Sequence, residues 1–352
     1  MTSQTNAPLA IPALWCPFAP GLHPAQQEME SKALNWMRDM ELARDSGQER
    51  RARAIGCGEL GARVVEPNAP TVLAQISVDS MLWLFIFDDT YCDEGIHSSD
   101  PAAMSLLVAR LLRIAETGAS LSSMTPQEHA LLDLRCRIAA TASPTQLVRW
   151  IDALRTYLGY QVWEAAHRAL GTRPEPDAYL TARIANGSVP VCCAVLDITS
   201  GFEVPAEEIN RADVRALTEM CCAVVGVDND IMSHWKETLR CGDGINLIDV
   251  LAADNACTPA EALPMAITVR DGILTRYQQL RETTTGRLGA EGQRYLKLLD
   301  QWIRGNLDWG FGSGRYRNHD NPASLPDHVV ACAPRLSADP LPYPGTAWWW
   351  AA

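Results

Sequence analysis

The sequence lacks the features of a secreted, membrane-spanning or disulfide-linked protein. Its N-terminus, MTSQTNAPLAIPALWCP, has no basic region followed by a continuous apolar stretch. No run approaches the roughly 20 apolar residues that a membrane span requires. Eleven cysteines occur without any C-x-x-C spacing. We therefore expect reduced cysteines in the core of a cytoplasmic protein.

Positive charge is also scarce. The chain has 30 Lys and Arg residues against 42 Asp and Glu residues, which gives a formal net charge of -12 at pH 7. This balance argues against a nucleic acid or an anionic membrane surface as the main partner. An anionic small molecule would therefore need metal ions or a few well-placed cationic side chains to bind.

Alternating strand patterns, internal repeats and low-complexity linkers are absent as well, whereas helix signals recur. Three segments place a hydroxyl residue before a proline, with a Glu or Gln three residues after the hydroxyl, at Thr125, Ser143 and Thr258. This is the pattern of a capped helix start. From Ser143 an apolar stripe of helical period continues to Gly171, a typical stop residue. The sequence predicts an all-α fold built as one helical body.

Proline is concentrated at the two ends of the chain. We expect residues 1–25 to form a Pro-rich segment that wraps or covers the body, and residues 26–320 to form the helical domain. Residues 321–352 would form a Pro- and Trp-rich C-terminal segment that ends in Trp348–Trp350. A domain of this length is large enough to enclose a deep pocket.

A first carboxylate cluster follows the apolar run Met81–Phe87. A buried helix here would deliver Asp88, Asp89 and Asp93 at its end, where their oxygens can converge on a shared site. Like charges at this spacing repel unless a cation lies between them, and hard divalent cations prefer oxygen ligands. The alternative is a solvated acidic helix end.

A second cluster lies on the helix predicted over residues 223–237. Asn229, Ser233 and Glu237 follow one another at intervals of four, so an amide oxygen, a hydroxyl and a carboxylate line one helical face. All three side chains are oxygen ligands, and Lys236 beside them can reach a bound anion. The alternative is a polar stripe that faces solvent.

Together the two clusters resemble those of bacterial class I terpene synthases. The string that contains Asp88, Asp89 and Asp93 is similar to the aspartate-rich motif of that family, although Cys92 stands where a shorter form of the motif has its last Asp. Asn229, Ser233 and Glu237 match the family's Asn/Ser/Glu metal triad.

Further positions match in the right order along nearly the whole chain. Arg183 corresponds to the diphosphate-sensing arginine, while Asn186 and Gly187 fall on the linker and effector positions. The linker is Asp or Thr in many relatives. Arg315 and Tyr316 are similar to the family's Arg-Tyr pair. The segment Ala13–Pro17 and the Asp-Asp-x-Tyr-Cys string most resemble the selinadiene synthase and 2-methylisoborneol synthase branches.

The resemblance implies a mechanism that uses three Mg²⁺ ions bound together with an isoprenyl diphosphate. Two ions would be held by Asp88, with Asp93, and the third by Asn229, Ser233 and Glu237. Asp89 would serve as a latch to Arg315 when the site closes. The departing diphosphate would accept hydrogen bonds from four side chains, Arg183, Lys236, Arg315 and Tyr316.

The carbocation that remains must be sheltered from water. Phe85 lies one turn before the aspartates and should face the cavity, and Leu84 should shape its wall. Trp302 and Trp309 fall on one face of the last long helix and would line the same pocket. The alternative for each aromatic residue is ordinary core packing.

The resemblance implies a cyclase that uses farnesyl diphosphate to form a sesquiterpene. Geranyl, 2-methylgeranyl and geranylgeranyl diphosphates stay open as substrates. A prenyl diphosphate synthase would normally carry two aspartate-rich motifs, so the Asn/Ser/Glu triad favours a cyclase. A non-catalytic helical protein that binds a prenyl ligand is a further alternative, and a homodimer is left open. We interpret His234, His319 and Asp320 as structural.

Overall fold

The computed structural model describes residues 9–240, 242–317, 325–336 and 339–352. Fifteen α-helices account for most of this part of the chain, and the all-α expectation is confirmed. In chain order they are α1 Gln26–Asp39, α2 Ser46–Ile55, α3 Cys57–Val64, α4 Thr71–Phe87, α5 Pro101–Thr117, α6 Pro126–Thr141, α7 Pro144–Leu170, α8 Pro176–Asn186, α9 Val189–Cys193, α10 Leu196–Thr199, α11 Ala206–Ile209, α12 Ala212–Arg240, α13 Leu247–Asp254, α14 Pro259–Thr285 and α15 Ala290–Gly312.

Three shorter turns supplement the α-helices in the described part of the chain. A π-helical turn spans Asp88–Cys92, and 3₁₀ turns span Ile96–Ser99 and Pro344–Trp350. Across the described ranges, β pairing is limited to one isolated parallel bridge between Trp15 and Val330. The helices therefore supply the scaffold on which a functional site can be built.

The three helix starts predicted from sequence are confirmed. The side chains of Thr125, Ser143 and Thr258 each accept a hydrogen bond from the backbone N–H three residues later. The Glu or Gln side chain at that later position accepts a hydrogen bond from the backbone N–H of the capping residue. Each cap thus satisfies two backbone donors that a bare helix end would leave free. Helix α7 also ends as predicted, since Gly171 adopts the left-handed conformation at φ 62°.

Replacing Thr258 with alanine should lower the free energy of unfolding by about 1 kcal/mol, because the cap on α14 would be lost. Urea denaturation measures this change. Thr268→Ala is the matched control, since this exposed threonine on the same helix bonds only the Pro264 carbonyl oxygen. The control should change stability by less than about 0.5 kcal/mol. Equal losses for the two variants would contradict the role of the cap.

Helices α4 and α12 form the centre of the bundle. Helix α4 buries consecutive residues from Ala74 to Leu84, including the polar Gln75 and Asp79, so its whole circumference is covered by protein. The expected burial of Met81–Phe87 is largely confirmed. Helix α12 packs against α8, α13, α14 and α15. A helix that is buried on all sides belongs to the core of the bundle. The first cluster of oxygen-bearing side chains directly follows α4, and the second lies on α12.

Within the described residues, two segments have the length and mean hydropathy of a membrane span, although neither is a continuous apolar run. They are Thr71–Cys92 and Pro176–Thr199. In the structure 67% of the apolar window in each segment is buried inside the protein. Their composition is therefore explained by packing in the core of the helical bundle, where the first contains α4 and the second contains α8, α9 and α10.

The N-terminal segment contacts the body through buried side chains and main-chain bonds. Leu14, Trp15 and Cys16 are buried. The Cys16 N–H donates to the Val330 carbonyl oxygen at 3.0 Å, which joins the two ends of the chain. The Trp15 carbonyl oxygen accepts a hydrogen bond from Arg270, a fully buried residue of α14. This segment is therefore fixed to the central helices.

The C-terminal tryptophans pack on the helical body. Trp349 is fully buried, and its indole N–H donates to a Glu219 carboxylate oxygen at 3.0 Å. Its carbonyl oxygen accepts two hydrogen bonds from Arg276. The 3₁₀ turn that carries it lies against α8 and α12. Trp349 therefore anchors the end of the chain to the bundle.

The cysteines are free thiols at all ten positions that the structure describes. Seven of them are buried, as expected for core residues. The expectation of core placement was wrong for Cys136 and Cys332, which are exposed, and for the half-buried Cys257. The spacing of cysteines in the sequence carries no information about exposure, which depends on the face that each helix presents.

Candidate active site

The aspartates lie on a π turn that continues directly from α4. The Asp93 N–H donates to the Asp88 carbonyl oxygen at 2.9 Å, five residues back, whereas the sequence analysis assumed α-helical spacing. The wider turn brings Asp88 and Asp93 over one another. Oxygens of Asp88, Asp89 and Asp93 lie within 4.8 Å of one another, a donor set suited to a divalent cation.

Asp88 and Asp89 differ in how strongly nearby cationic side chains offset the cost of a charged carboxylate. Arg315 Nη1 lies 3.1 Å from Asp89, and its Nη2 lies 3.3 Å from Asp88. Burial alone would raise the pKa of Asp89, but the charges of Arg315 and Lys236 outweigh this effect and lower it. Withdrawal from bulk water and the nearby Asp93 raise the pKa of Asp88 to about 8. A divalent cation beside Asp88 and Asp93 would relieve this repulsion.

The second row of oxygen ligands lies on α12. Ser233 is buried, and its hydroxyl donates to Glu237 Oε1 at 2.5 Å. Asn229 accepts a hydrogen bond from Arg183 Nη2 at 2.6 Å through its amide oxygen. Its amide nitrogen donates to the Tyr316 hydroxyl at 2.5 Å. The row therefore faces the interior of the bundle.

Members of both rows line one polar chamber, although Asp89 and Ser233 do not. Asp88 and Asp93 line it from one side, and Asn229 and Glu237 line it from the other. Lys236 Nζ lies 3.4 Å from Asp93 Oδ2 and so spans the gap between them. The fold therefore brings together residues that are far apart in the sequence.

Arg183 connects α8 to the second row. Its Nε lies 2.8 Å from Asp230 Oδ1, and its Nη1 donates to the Asn186 amide oxygen at 3.1 Å. Helix α8 ends at Asn186, and Gly187 and Ser188 form the break. Ser188 has a positive φ of 61°, a conformation that costs energy for a residue with a side chain. The break after α8 is thus a strained segment beside the polar chamber.

A glycine permits the close approach of α8 and α12. Arg183 Nε donates to the Gly226 carbonyl oxygen at 3.2 Å. A Cβ atom at position 226 would lie only 3.1 Å from Arg183 Cγ. Gly226 therefore lets the arginine side chain lie directly against the backbone of α12.

A cavity continues inward from the polar chamber. Its empty volume is about 760 Å³, which includes the solvent at its mouth. All the residues predicted to shape the pocket line this cavity, namely Leu84, Phe85, Trp302 and Trp309. The Phe85 and Trp309 ring centroids lie 5.7 Å apart, and Trp309 meets Tyr316 edge-on at 5.4 Å. An aromatic wall therefore lies directly below the charged rim.

Two contacts of the site were missed in the sequence analysis. Asn246 Nδ2 donates to Glu237 Oε2 at 2.8 Å, and Tyr179 donates to Asp230 at 2.8 Å. Burial raises the pKa of Asp230 to about 7, even though Arg183 opposes this effect. Asp230 lies inside the second motif and could have been inferred from its position there. Asn246 has no such signal, because the chain must turn back on α12 to reach Glu237.

The histidines lie outside the chamber or outside the described residues. His234 Nε2 lies 3.2 Å from Asp249 Oδ1, so its contact is with α13. His319 and Asp320 fall within residues that the structure does not describe. His234 does not line the cavity or the polar chamber.

The fold and the site define a class of protein. Buried helices enclose a cavity with an aromatic wall, and two rows of oxygen ligands and several cationic side chains face its mouth. This is the architecture of a class I terpene synthase.

Comparison with known proteins gives the family. The family model for terpene synthase family 2, C-terminal metal binding, matches residues 79–268, and the chain belongs to this family. The chain is 34% identical over 353 residues to the (+)-(1(10)E,4E,6S,7R)-germacradien-6-ol synthase of Streptomyces pratensis, with 99% of each chain covered.

Two further relatives support the assignment. The (+)-T-muurolol synthase of Streptomyces clavuligerus, which cyclises (2E,6E)-farnesyl diphosphate, is 34% identical over 96% of this chain and 81% of its own. The crystal structure of the SVS_A2 protein from ancestral sequence reconstruction has a TM-score of 0.88 and 30% identity. It covers 97% of this chain and 98% of its own. The resemblance inferred from the motifs is confirmed.

Proposed function

We propose that this terpene synthase ionises farnesyl diphosphate with the help of Mg²⁺ and cyclises the carbocation to a sesquiterpene, with release of diphosphate. The observation that carries the proposal is the pair of oxygen-ligand rows across one chamber, with Lys236 Nζ 3.4 Å from Asp93. A diphosphate with bound cations fits such a chamber, and its apolar tail fits the cavity beneath. The farnesyl chain length is supported by the printed substrate of the Streptomyces clavuligerus relative.

The proposed metal ligands follow from the donor set. Asp88, with Asp93, would hold two Mg²⁺ ions, and Asn229, Ser233 and Glu237 would hold a third. Bound metal ions act as Lewis acids on phosphoryl oxygens and orient the substrate. The raised pKa of Asp88 supports this assignment, because crowded carboxylates are stabilised by a cation between them.

The remaining polar residues would bind the leaving group. Arg183, Lys236, Arg315 and Tyr316 all line the cavity and can donate hydrogen bonds to a diphosphate. Asn186 and Gly187 would couple a movement of Arg183 to the backbone break after α8, in which Gly187 lies.

Asp89 would act as a latch, not as a metal ligand. Its contact with Arg315 at 3.1 Å and its lowered pKa support this role. Arg315 also contacts Asp88 at 3.3 Å, so a cation bound beside Asp88 would share that carboxylate with Arg315.

The aromatic wall would stabilise the carbocation and exclude water. Replacing Phe85 with leucine should slow product formation roughly 2- to 30-fold and change the product mixture, because a cation–π contact of about 0.5–2 kcal/mol would be lost. Gas chromatography of extracted products with farnesyl diphosphate measures both effects. Phe202→Leu is the control, since this aromatic residue lies under Arg294 and does not line the cavity. An unchanged rate and product mixture for Phe85→Leu would contradict this role.

The proposal is tested by incubating the protein with Mg²⁺ and each of the farnesyl, geranyl, 2-methylgeranyl and geranylgeranyl diphosphates. We expect a cyclic sesquiterpene from farnesyl diphosphate, and no product after EDTA treatment. A cyclic product from another substrate would correct the chain length. An elongated diphosphate would indicate a prenyl diphosphate synthase. Metal-dependent binding without turnover of any substrate would indicate a non-catalytic prenyl-binding protein.

The location and the binding partners of the enzyme are part of the proposal. We expect a cytoplasmic enzyme whose partner is the isoprenyl diphosphate itself, since the net charge of -12 disfavours nucleic acid. The homodimer stays a prediction, and sedimentation equilibrium of the purified protein measures it.

A further inference from the structure

We propose that Arg168 is a positioning residue that joins the two metal-ligand rows and the break after α8 into one unit. The inference rests on the proposed function, because it assigns a task within the same site. Arg168 lies in the last turn of α7, and only 12% of its side-chain surface is exposed. Its guanidinium group contacts three separate parts of the chain.

The first contact fixes the aspartate cluster. Arg168 Nη1 donates to the Cys92 carbonyl oxygen at 2.6 Å. This oxygen belongs to the peptide that joins Cys92 to Asp93, so the bond sets the orientation of the backbone that carries the Asp93 carboxylate. The π turn gives no ladder of α-helical bonds here, and Arg168 supplies a bond from outside the turn.

The second contact starts a chain of hydrogen bonds that reaches the second row. Arg168 Nη2 lies 2.5 Å from Glu164 Oε1, and Glu164 Oε2 accepts a bond from the Asn186 amide at 3.0 Å. The Asn186 amide oxygen accepts a bond from Arg183 Nη1 at 3.1 Å. Arg183 Nη2 in turn bonds Asn229 at 2.6 Å. A continuous path therefore joins the Asp93 peptide to the first ligand of the second row.

The third contact holds the loop that follows α12. Arg168 Nε lies 2.5 Å from Asp243 Oδ2, and Asp243 Oδ1 accepts a bond from the Ile245 N–H at 2.9 Å. The next residue, Asn246, donates to Glu237 Oε2. Arg168 thus also supports the last ligand of the second row through the loop.

Only an arginine can make these three contacts at once. A guanidinium group has donors on three nitrogens in a fixed plane, whereas a lysine ammonium group has one nitrogen. Residues that orient metal ligands from behind typically change metal affinity or activity about 10- to 100-fold when they are replaced. Arg168 lines the same chamber and supports the Asp93 peptide directly, and it supports Asn229 and Glu237 through the intermediate residues.

The experiment compares Arg168→Lys with Arg155→Lys in the full-length protein. Arg155 lies on the same helix, but it is exposed and pairs with the surface residues Glu116 and Asp152. We expect Arg168→Lys to raise the Mg²⁺ concentration for half-maximal activity about 10-fold or more and to lower kcat about 10-fold or more. The rise in Tm that Mg²⁺ and inorganic pyrophosphate produce should shrink as well. Arg155→Lys should match the wild type in all three measurements.

A purely structural role predicts a different result. Arg168→Lys would then lower Tm but keep the wild-type Mg²⁺ half-saturation and the wild-type response to pyrophosphate, and this outcome would overturn the proposal. If Arg168→Lys does not fold, Glu164→Gln and Asp243→Asn serve in its place. Each removes one branch of the network, and unchanged Mg²⁺ dependence in both would equally overturn the proposal.

The test separates this proposal from the proposed function. If the wild type turns over no isoprenyl diphosphate, the proposed function fails, yet the shift of Tm by Mg²⁺ and pyrophosphate still compares Arg168→Lys with Arg155→Lys. If the wild type is active and Arg168→Lys has the same metal response as the wild type, only the role of Arg168 fails.

Discussion

Replacing Glu237 with alanine should lower kcat at least about 100-fold while the fold is retained. Changes that remove only an outer contact to a metal ligand typically cost about 10- to 100-fold, and this change removes a proposed ligand itself. Glu237 is the charged member of its row, and without its carboxylate only an amide oxygen and a hydroxyl remain on that face of α12. Steady-state kinetics with farnesyl diphosphate over a range of Mg²⁺ concentrations measures the loss.

An exposed carboxylate far from the two ligand rows in the sequence provides the control for Glu237→Ala. Glu207→Ala removes an exposed carboxylate from α11 and should leave activity and Mg²⁺ dependence unchanged.

Asn229→Ala should also abolish turnover, because Arg183 and Tyr316 lose their shared partner. If Glu237→Ala or Asn229→Ala keeps more than about a tenth of wild-type activity, the assignment of the second row as metal ligands is wrong.

Replacing Arg183 with lysine should lower kcat/KM about 100-fold or more. Arg183 contacts Asp230, Asn186 and Asn229 from three different nitrogens. A single ammonium group cannot keep all three contacts and still donate to a diphosphate. The loss of one preorganised donor to a developing anion typically costs about 100- to 1,000-fold.

The measurement for Arg183 must separate chemistry from folding. Arg135→Lys is the control, because Arg135 Nε donates to the Ala115 carbonyl oxygen at 2.7 Å and Arg135 lines neither the cavity nor the chamber. Circular dichroism and Tm should show that both variants fold. A wild-type value of kcat/KM for Arg183→Lys would contradict the proposed role of Arg183 in diphosphate binding.

Local signals explain why the helix starts could be predicted. The caps at Thr125, Ser143 and Thr258 involve residues only three apart, so the sequence contains the whole interaction. The same holds for the stop at Gly171. The π turn at Asp88–Cys92 could not be predicted in this way, because nothing in the order Asp-Asp-Thr-Tyr-Cys distinguishes it from an α turn.

In the candidate site, too, the residues in local motifs could be predicted from sequence, whereas those defined by long-range contacts could not. The types and spacings of the oxygen-bearing residues after α4 and on α12 predicted two candidate ligand rows before the fold was known. Arg168 and Asn246 carry no motif, and their importance comes from contacts with Cys92 and Glu237 across the bundle. Such contacts join residues that are distant in the chain or separated by a loop whose path depends on packing.

The sequence alone therefore determined the helical class, the helix starts and the residue types of both candidate ligand rows, since these depend on residue type and on short-range spacing. Tertiary structure decided that members of both rows line one chamber, that Arg315 pairs with both Asp88 and Asp89, and that an aromatic cavity lies beneath. The physical reason is that convergence of side chains depends on how helices pack. That packing is set by the buried surfaces of the whole bundle at once.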